Sequence, residues 1–250
     1  EIADIQTQIK NVNDRKQQEA DQKNEAAKKE AKTALIEALE GNDKKAILDA
    51  LQNSFLGLDN VKAENIDHYV LDKDSIKNKL NKETNALKET NELIDIINKK
   101  ANIANAKTTQ EMLNALTTYS SVQKLDKEFN DLPIERKQDT AEELLNKLSS
   151  NKKEYGMGAI ENEIPKASQE VEKKIEKVNY ALNKLAEHRG DINEARTEMH
   201  TSALINALKA IVTDNVDNIK CDNFYKNSFN EKGELVEYSN YTDIRTALNK

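Results

Sequence analysis

Residues 171–185 read Val171-Glu172-Lys173-Lys174-Ile175-Glu176-Lys177-Val178-Asn179-Tyr180-Ala181-Leu182-Asn183-Lys184-Leu185, and Val171, Ile175, Val178, Leu182 and Leu185 recur at alternating spacings of four and three. That is the heptad period of a helix with one apolar seam, with Glu and Lys on its solvated sides. The whole chain of 250 residues agrees with it: six Gly, two Pro and 33% charged residues describe long amphipathic helices, not a glycine-punctuated α/β enzyme. The predicted class is mainly α, an elongated helical bundle with long antiparallel coiled-coil helices.

Extended on the same count, the d positions are Val171, Val178, Leu185, Ile192 and Met199, and the a positions are Ile175, Leu182, Arg189, Arg196 and Ala203. Two successive a positions are arginine. Buried unpaired guanidinium groups are costly, so the seam must loosen there, let the side chains reach water, or supply acidic partners. Arg189 also opens the tripeptide Arg189-Gly190-Asp191, an adhesion signal when displayed in an extended turn. A second reading ends the helix at Arg189, with Gly190 at C′, Asp191 as N-cap and Glu194 closing a capping box. The apolar register survives across the tripeptide, which favours helix or kinked helix over an adhesive loop.

Working toward the N-terminus, Ile2, Ile5, Ile9 and Val12 start another heptad seam in a stretch, Glu1–Glu40, that has no Gly or Pro. Lys16, Glu19 and Lys23 then occupy its core positions, and apolar support returns only as Ala20, Ala27, Ala31, Ala34, Leu35, Ala38 and Leu39. A helix of that length is roughly 60 Å long. Gly41 is placed at its C′ position, and Asn42 or Asp43 caps a second helix over Ile47, Leu51 and Phe55 that stops at Gly57. Ile66, Tyr69, Val70 and Leu71 are compatible with strand or helix. Asp74 is predicted to cap one helix running from Ile76 to Ala101, Thr108 and Glu111 to start another, and Leu132-Pro133 to end that one. A short helix over 140–148, a joint at "EYGMGAI" and the heptad helix after Pro165 follow.

The C-terminal end has five of the eleven aromatics, Phe224, Tyr225, Phe229, Tyr238 and Tyr241, within eighteen residues. Gly233 supplies a turn residue and Leu235-Val236 a β-favouring run, the pattern of a small hairpin. The aromatics serve either as the hairpin's own core or as an exposed hot spot for another protein. The expected organisation is 1–57, a long helix and helical hairpin; 58–155, a helical body; 156–220, coiled-coil helices; and 221–250, the aromatic hairpin with the start of a further helix. The chain opens at Glu1 without Met and stops in a helical pattern, so both ends are expected to continue in a longer parent.

Chemistry is sparse. Three histidines, His68, His188 and His200, and one cysteine, Cys221, give no metal-ligand spacing. Asp72 and Asp74 begin like a calcium loop, but Ile76 and Lys77 break it and leave the reading of an acidic pair at a helix start. Gly156-Met157-Gly158 lacks the third glycine of a dinucleotide loop. Cys221 beside Asp222 has only Lys220 nearby to lower its pKa, so it reads as a small buried hydrophobe. No cofactor, metal or catalytic residue is therefore assigned, and the chain is expected not to be an enzyme. The 45 acidic and 38 basic residues are interspersed, with a net charge of −7, which argues against nucleic acid as partner. No apolar run is long enough to span a bilayer. A single cysteine fits a reducing compartment, and equally a surface protein without disulfides.

The long Lys/Asn/Gln-rich helices "NDRKQQEADQKNEAAKKEAKTALIEALE", residues 13–40, and "SQEVEKKIEKVNYALNKLAEH", residues 168–188, resemble those of secreted coiled-coil effectors of intracellular bacteria of the Legionella type, Rab-binding effectors among them. The resemblance implies a virulence factor delivered into the host cytoplasm. It also implies binding of Rab-type small GTPases at vesicle membranes, association with the membrane only through that partner, and no catalysis. The residues themselves point to a protein-binding module, with Arg189, Arg196, Phe224, Tyr225, Phe229, Tyr238 and Tyr241 as candidate contacts. The alternative is a helical adhesin at a cell surface, for which Arg189-Gly190-Asp191 is the contact, or a structural coiled-coil scaffold. Short breaks between several helices favour a monomeric bundle over a parallel dimer, which would use the same heptads.

Overall fold

The computed structural model describes residues 2–123, 125, 129–151, 157–189 and 194–250. Among them the chain is mainly helical, with eleven α-helices and two short 3₁₀ turns. It divides into two compact units: Glu1–Ala101 with Glu154–Met157, and Asn102–Lys153 with Gly158–Lys250. The division falls inside what was expected to be one body over 58–155. No Gly or Pro marks it, because it is set by which core each apolar residue joins.

In the first unit, α1 (Ile2–Glu40), α2 (Lys44–Leu51), α3 (Ile66–Leu71), α4 (Lys73–Leu80) and the first turns of α5 (Ala86–Asn105) surround one core. Ala31, Leu35 and Leu39 of α1 meet Ile47, Leu51, Tyr69, Ile76, Leu80, Leu93, Ile94 and Ile97 there. Only the last turns of α1 are held in this way. Ile2 and all residues from Asp4 to Ala26 are exposed.

Buried polar groups fix the register of this unit. Asn98 accepts from Asn65 Nδ2 at 2.8 Å and from the Tyr69 hydroxyl at 2.6 Å, donates to the Asn60 carbonyl at 2.7 Å, and so fastens the loop before α3 to α5. The Tyr69 oxygen in turn accepts from Lys62 N at 2.9 Å. Lys100 of α5, wholly buried, pairs with Asp72 at the α3–α4 junction. Asp72 gives no side-chain hydrogen bond to the helix start, so its role is that ion pair and not the capping expected of it.

Several local expectations change. Asp43 caps α2, accepting from Lys45 N at 2.9 Å and Ala46 N at 3.3 Å. Gly41 is not left-handed; it closes α1 with a tight Gly41 N–H to Ala38 O bond of 3.1 Å. The left-handed glycine is Gly57, at φ +61°, after a 3₁₀ turn over Ser54–Leu56. Residues 66–71 are helix, with Tyr69 inward. The single helix expected from Asp74 to Ala101 is two, parted by Asn85 at φ +56°. Asparagine tolerates that region better than other residues with a Cβ, so Asn85→Ala is expected to cost about 1 kcal/mol in a urea unfolding titration and Asn85→Gly to cost nothing. A stable Asn85→Ala variant would mean the turn relaxes freely.

The second unit contains α6 (Thr109–Gln123), α7 (Ile134–Asn151), α8 (Met157–His188), α9 (Glu194–Lys209), α10 (Asn218–Asn227) and α11 (Tyr241–Leu248). Thr108 caps α6 as expected, accepting from Glu111 N at 3.2 Å, while Glu111 reaches back to Lys107 N at 2.8 Å. Helix α7 begins directly after Pro133, well before residue 140. Helix α8 begins before Pro165 and contains it, because buried Ile160, Ile164 and Ala167 hold both sides of the proline in one apolar stripe. Of the stretch expected as a joint, residues 157–160 are the first turn of α8 and Glu154, Tyr155 and Gly156 lie outside the described residues.

The heptad residues Val171, Ile175, Val178, Leu182 and Leu185 are all buried, in a core shared with Leu204, Leu208, Ile211, Val216, Phe224, Tyr238 and Ile244. That seam does not carry into α9, where Met199 is 59% exposed and Ala203 is exposed while Leu204, Ala207 and Leu208 turn inward. Helix α9 ends at Lys209, and Asp217, accepting from Lys220 N at 2.9 Å, caps a new helix on which Ile219 is 72% exposed. Where a β-hairpin was expected there is no strand among the described residues, only one isolated antiparallel bridge, Phe229 to Leu235, around Gly233 at φ +77°.

Candidate protein-interaction site

Helix α10 turns a buried side and an open side to its surroundings, and the candidate aromatics divide between them. Phe224 is fully buried and stacks on Tyr238, ring centres 5.3 Å apart. Tyr238 is 5% exposed, and its hydroxyl is 2.8 Å from that of Ser228. Asn179 of α8 holds the backbone of Tyr238 with both ends of its amide, donating to the carbonyl at 2.8 Å and accepting from the N–H at 3.0 Å. Tyr241 is 1% exposed. These three are core, so the reading of the cluster as an exposed hot spot fails for them.

Tyr241 belongs to a polar clamp between α7 and α11 that sequence reading did not assemble. Its hydroxyl donates to Glu143 Oε1 at 2.8 Å, and its N–H, at the first turn of α11, donates to Asp139 Oδ2 at 2.9 Å. Arg245 grips Glu142 with two hydrogen bonds of 2.6 and 2.9 Å and also donates to the Ile211 carbonyl at 2.7 Å. Lys174 of α8 pairs with Glu143. Burial, then the facing Glu143 carboxylate, pushes the Tyr241 phenol far above its ordinary range. Burial also pushes Asp139 up to about 6, although the Tyr241 N–H and Arg245 pull the other way. These bonds hold α11 against α7.

The open side of α10 carries the remaining candidates. Arg189, at the end of α8, lays its guanidinium 4.2 Å from the centre of the Tyr225 ring and forms an ion pair with Asp222. Tyr225 meets Phe229 edge-on at 5.1 Å, and both are half-buried. Lys226, at 2.8 Å, and then Arg189 hold the Asp222 carboxyl below the usual carboxylate range. The seam thus avoids a buried guanidinium by turning Arg189 outward to an acid and an aromatic face, and Arg196 is likewise exposed. Gly190, Asp191 and Ile192 lie outside the described residues, and with them the adhesion tripeptide. Cys221 is buried, and burial raises its thiol to about 11, which leaves it an inert hydrophobe as expected.

In the first unit the exposed apolar residues are concentrated on α1. Ile2, Ile5, Ile9 and Val12 are 76, 57, 56 and 42% exposed. Their heptad spacing aligns them along one edge of a helix that the described residues leave uncovered. Among the described residues there is no group of three or more His, Cys, Asp or Glu placed to hold a metal ion, and no helix is long and apolar enough to cross a membrane. No protein family, curated protein or solved structure matches the chain.

Proposed function

We propose that the chain is a non-enzymatic protein-interaction module, an elongated bundle of antiparallel coiled-coil helices with the bridged turn at Phe229–Leu235 as its C-terminal hairpin. In this reading a bacterium delivers it into the reducing cytoplasm of a host cell, where it binds Rab-type small GTPases and reaches membranes only through them. The observation that carries the binding function is the uncovered edge Ile2, Ile5, Ile9 and Val12. Four large apolar side chains in heptad register on a helix edge left uncovered by the described residues are the form in which helices enter a groove or a second helix. Lys16, Glu19 and Lys23 beyond them limit the apolar contact to the first turns.

The test uses purified Rab-type GTPases, loaded with GTP or GDP and titrated against the full chain. Binding is expected in the GTP state and to weaken at least tenfold in the Ile5→Glu/Ile9→Glu double variant. The melting temperature should not move, because both side chains are exposed. Retention of no GTPase in either nucleotide state removes the partner assignment. Retention that ignores the double variant removes α1 as the contact.

A further inference from the structure

The heptad of α8 leaves Lys173, Lys177, Tyr180 and Lys184 at spacings of four, three and four on a face turned away from the core. On α9 the register that buries Leu204, Ala207 and Leu208 leaves Arg196, Met199, Ala203, Asn206 and Ala210 as the outward row. The two helices share a core, and His188 at the end of α8 stacks on His200 midway along α9, ring centres 4.8 Å apart and 8° from parallel. Between the rows is an open trough of about 610 Å³, with Ala181, Ala203, Ala207 and Ala210 among the residues lining it. Alanines on both walls of two helices that do not close on each other leave space for the larger side chains of a third helix.

We propose that this trough is the docking site for an acidic amphipathic helix of a partner protein. The proposal deepens the reading of the chain as a protein-binding module and rests on it. Tyr180 is the anchor: it is 68% exposed and lines the trough beside Ala181, Ala203 and Ala207. Tyrosine in that position has the amphipathic, low-entropy character of an interface hot spot. Charge selects the occupant. Lys173 and Lys177 on its α8 wall have no ion pair among the described residues, and the trough contributes one carboxylate, Glu176. Lys184 is already paired with Glu187 at 2.6 Å. In a chain of net charge −7 this basic rim is a local reversal, and it favours a partner with acidic flanks. Along α8 the lining from Lys173 to Ala181 rises about 12 Å, the length of a helix of about eight residues. The N-terminal third of α1 from a second copy also offers an apolar edge. Its Glu1, Asp4 and Asp14 are nearly balanced by Lys10 and Arg15, so it lacks the acidic flanks.

The test is fluorescence anisotropy of the full chain with two labelled helical peptides of 16 residues. Both carry Leu at helical spacing; one is flanked by Glu and the other by Lys. The Glu peptide should bind at least tenfold more tightly than the Lys peptide, and more weakly as salt is raised. Tyr180→Ala and Ala203→Glu should each weaken it at least tenfold, and Lys173→Glu/Lys177→Glu should reverse the preference. All four positions are exposed, so unchanged thermal melts are expected to accompany these losses. Equal binding of the two peptides, no binding of either, or indifference to Ala203→Glu overturns the proposal. So does self-association in sedimentation velocity that Ala203→Glu abolishes, which would give the trough to a second copy. No GTPase is present in this titration, so a peptide bound by a chain that retains no GTPase sinks only the partner assignment. A GTPase retained equally by wild type and Ala203→Glu sinks only the trough.

Discussion

Asp72→Asn is expected to destabilise the first unit by about 3–5 kcal/mol, the range seen when one partner of a buried ion pair is removed. Lys100 is wholly buried, and its ammonium would keep its desolvation cost while losing the carboxylate that offsets it. A urea titration followed by circular dichroism should show a lowered midpoint with an unchanged slope for that unit. The Asp72→Leu/Lys100→Met double variant should recover most of the loss, because two apolar side chains of similar volume carry no desolvation penalty. An Asp72→Asn chain within 1 kcal/mol of wild type would show that Lys100 reaches water or another acceptor without Asp72.

The second large effect depends on pH. Asp139 is 2% exposed, and burial raises its carboxyl from the ordinary 3.8 to about 6. The folded chain therefore binds this proton more tightly than the unfolded chain. The corresponding stabilisation is complete below pH 4, is lost as pH rises through 6, and amounts to about 3 kcal/mol. Arg245 on α11 and Arg136 on α7 face the carboxylate and reduce the effect, and Glu142 adds to it. Asp139→Asn keeps an acceptor for the Tyr241 N–H and carries no charge. Subtracting its unfolding free energy from that of wild type at pH 4.5, 6 and 7.5 isolates the group from the other carboxylates. The variant should gain on wild type as pH rises. A difference that stays flat would mean the Asp139 carboxylate is hydrated in the folded chain.

What could be read from the residues alone follows from how far apart the interacting partners lie. The helical period of α1 and α8 is local and repeated over several turns, so the buried residues Ala31, Leu35 and Leu39 of α1 and Val171 to Leu185 of α8 are legible in it, whereas Ile2, Ile5, Ile9 and Val12 follow the same period and are exposed. The start of α7 was missed because its first turns, Glu135 to Thr140, carry charge and no apolar period. The break before α5 was missed because apolar spacing continues across it, and one left-handed asparagine makes the turn. At the candidate site the density of aromatics was visible, but not that Phe224, Tyr238 and Tyr241 face inward. Arg189 was singled out as a misfit in a seam, yet its partner Asp222 is 33 residues away, and no local pattern connects them. The α8/α9 trough had no signature at all: scattered alanines acquire meaning only when two helices are set side by side.

The uncovered length of α1 has a thermodynamic corollary. A helix costs most to nucleate, and the packed turns from Ala31 to Glu40 meet that cost for the whole segment. The remaining residues extend the helix by propagation alone, each adding one backbone hydrogen bond near the balance point between helix and coil. Amide exchange protection should therefore decline steadily from Ala31 toward Ile2. The four apolar residues lie at the least protected end, so a partner that closes over them completes the helix as it binds. Such an association should release more heat, and lower the heat capacity further, than contact between two preformed surfaces of the same size.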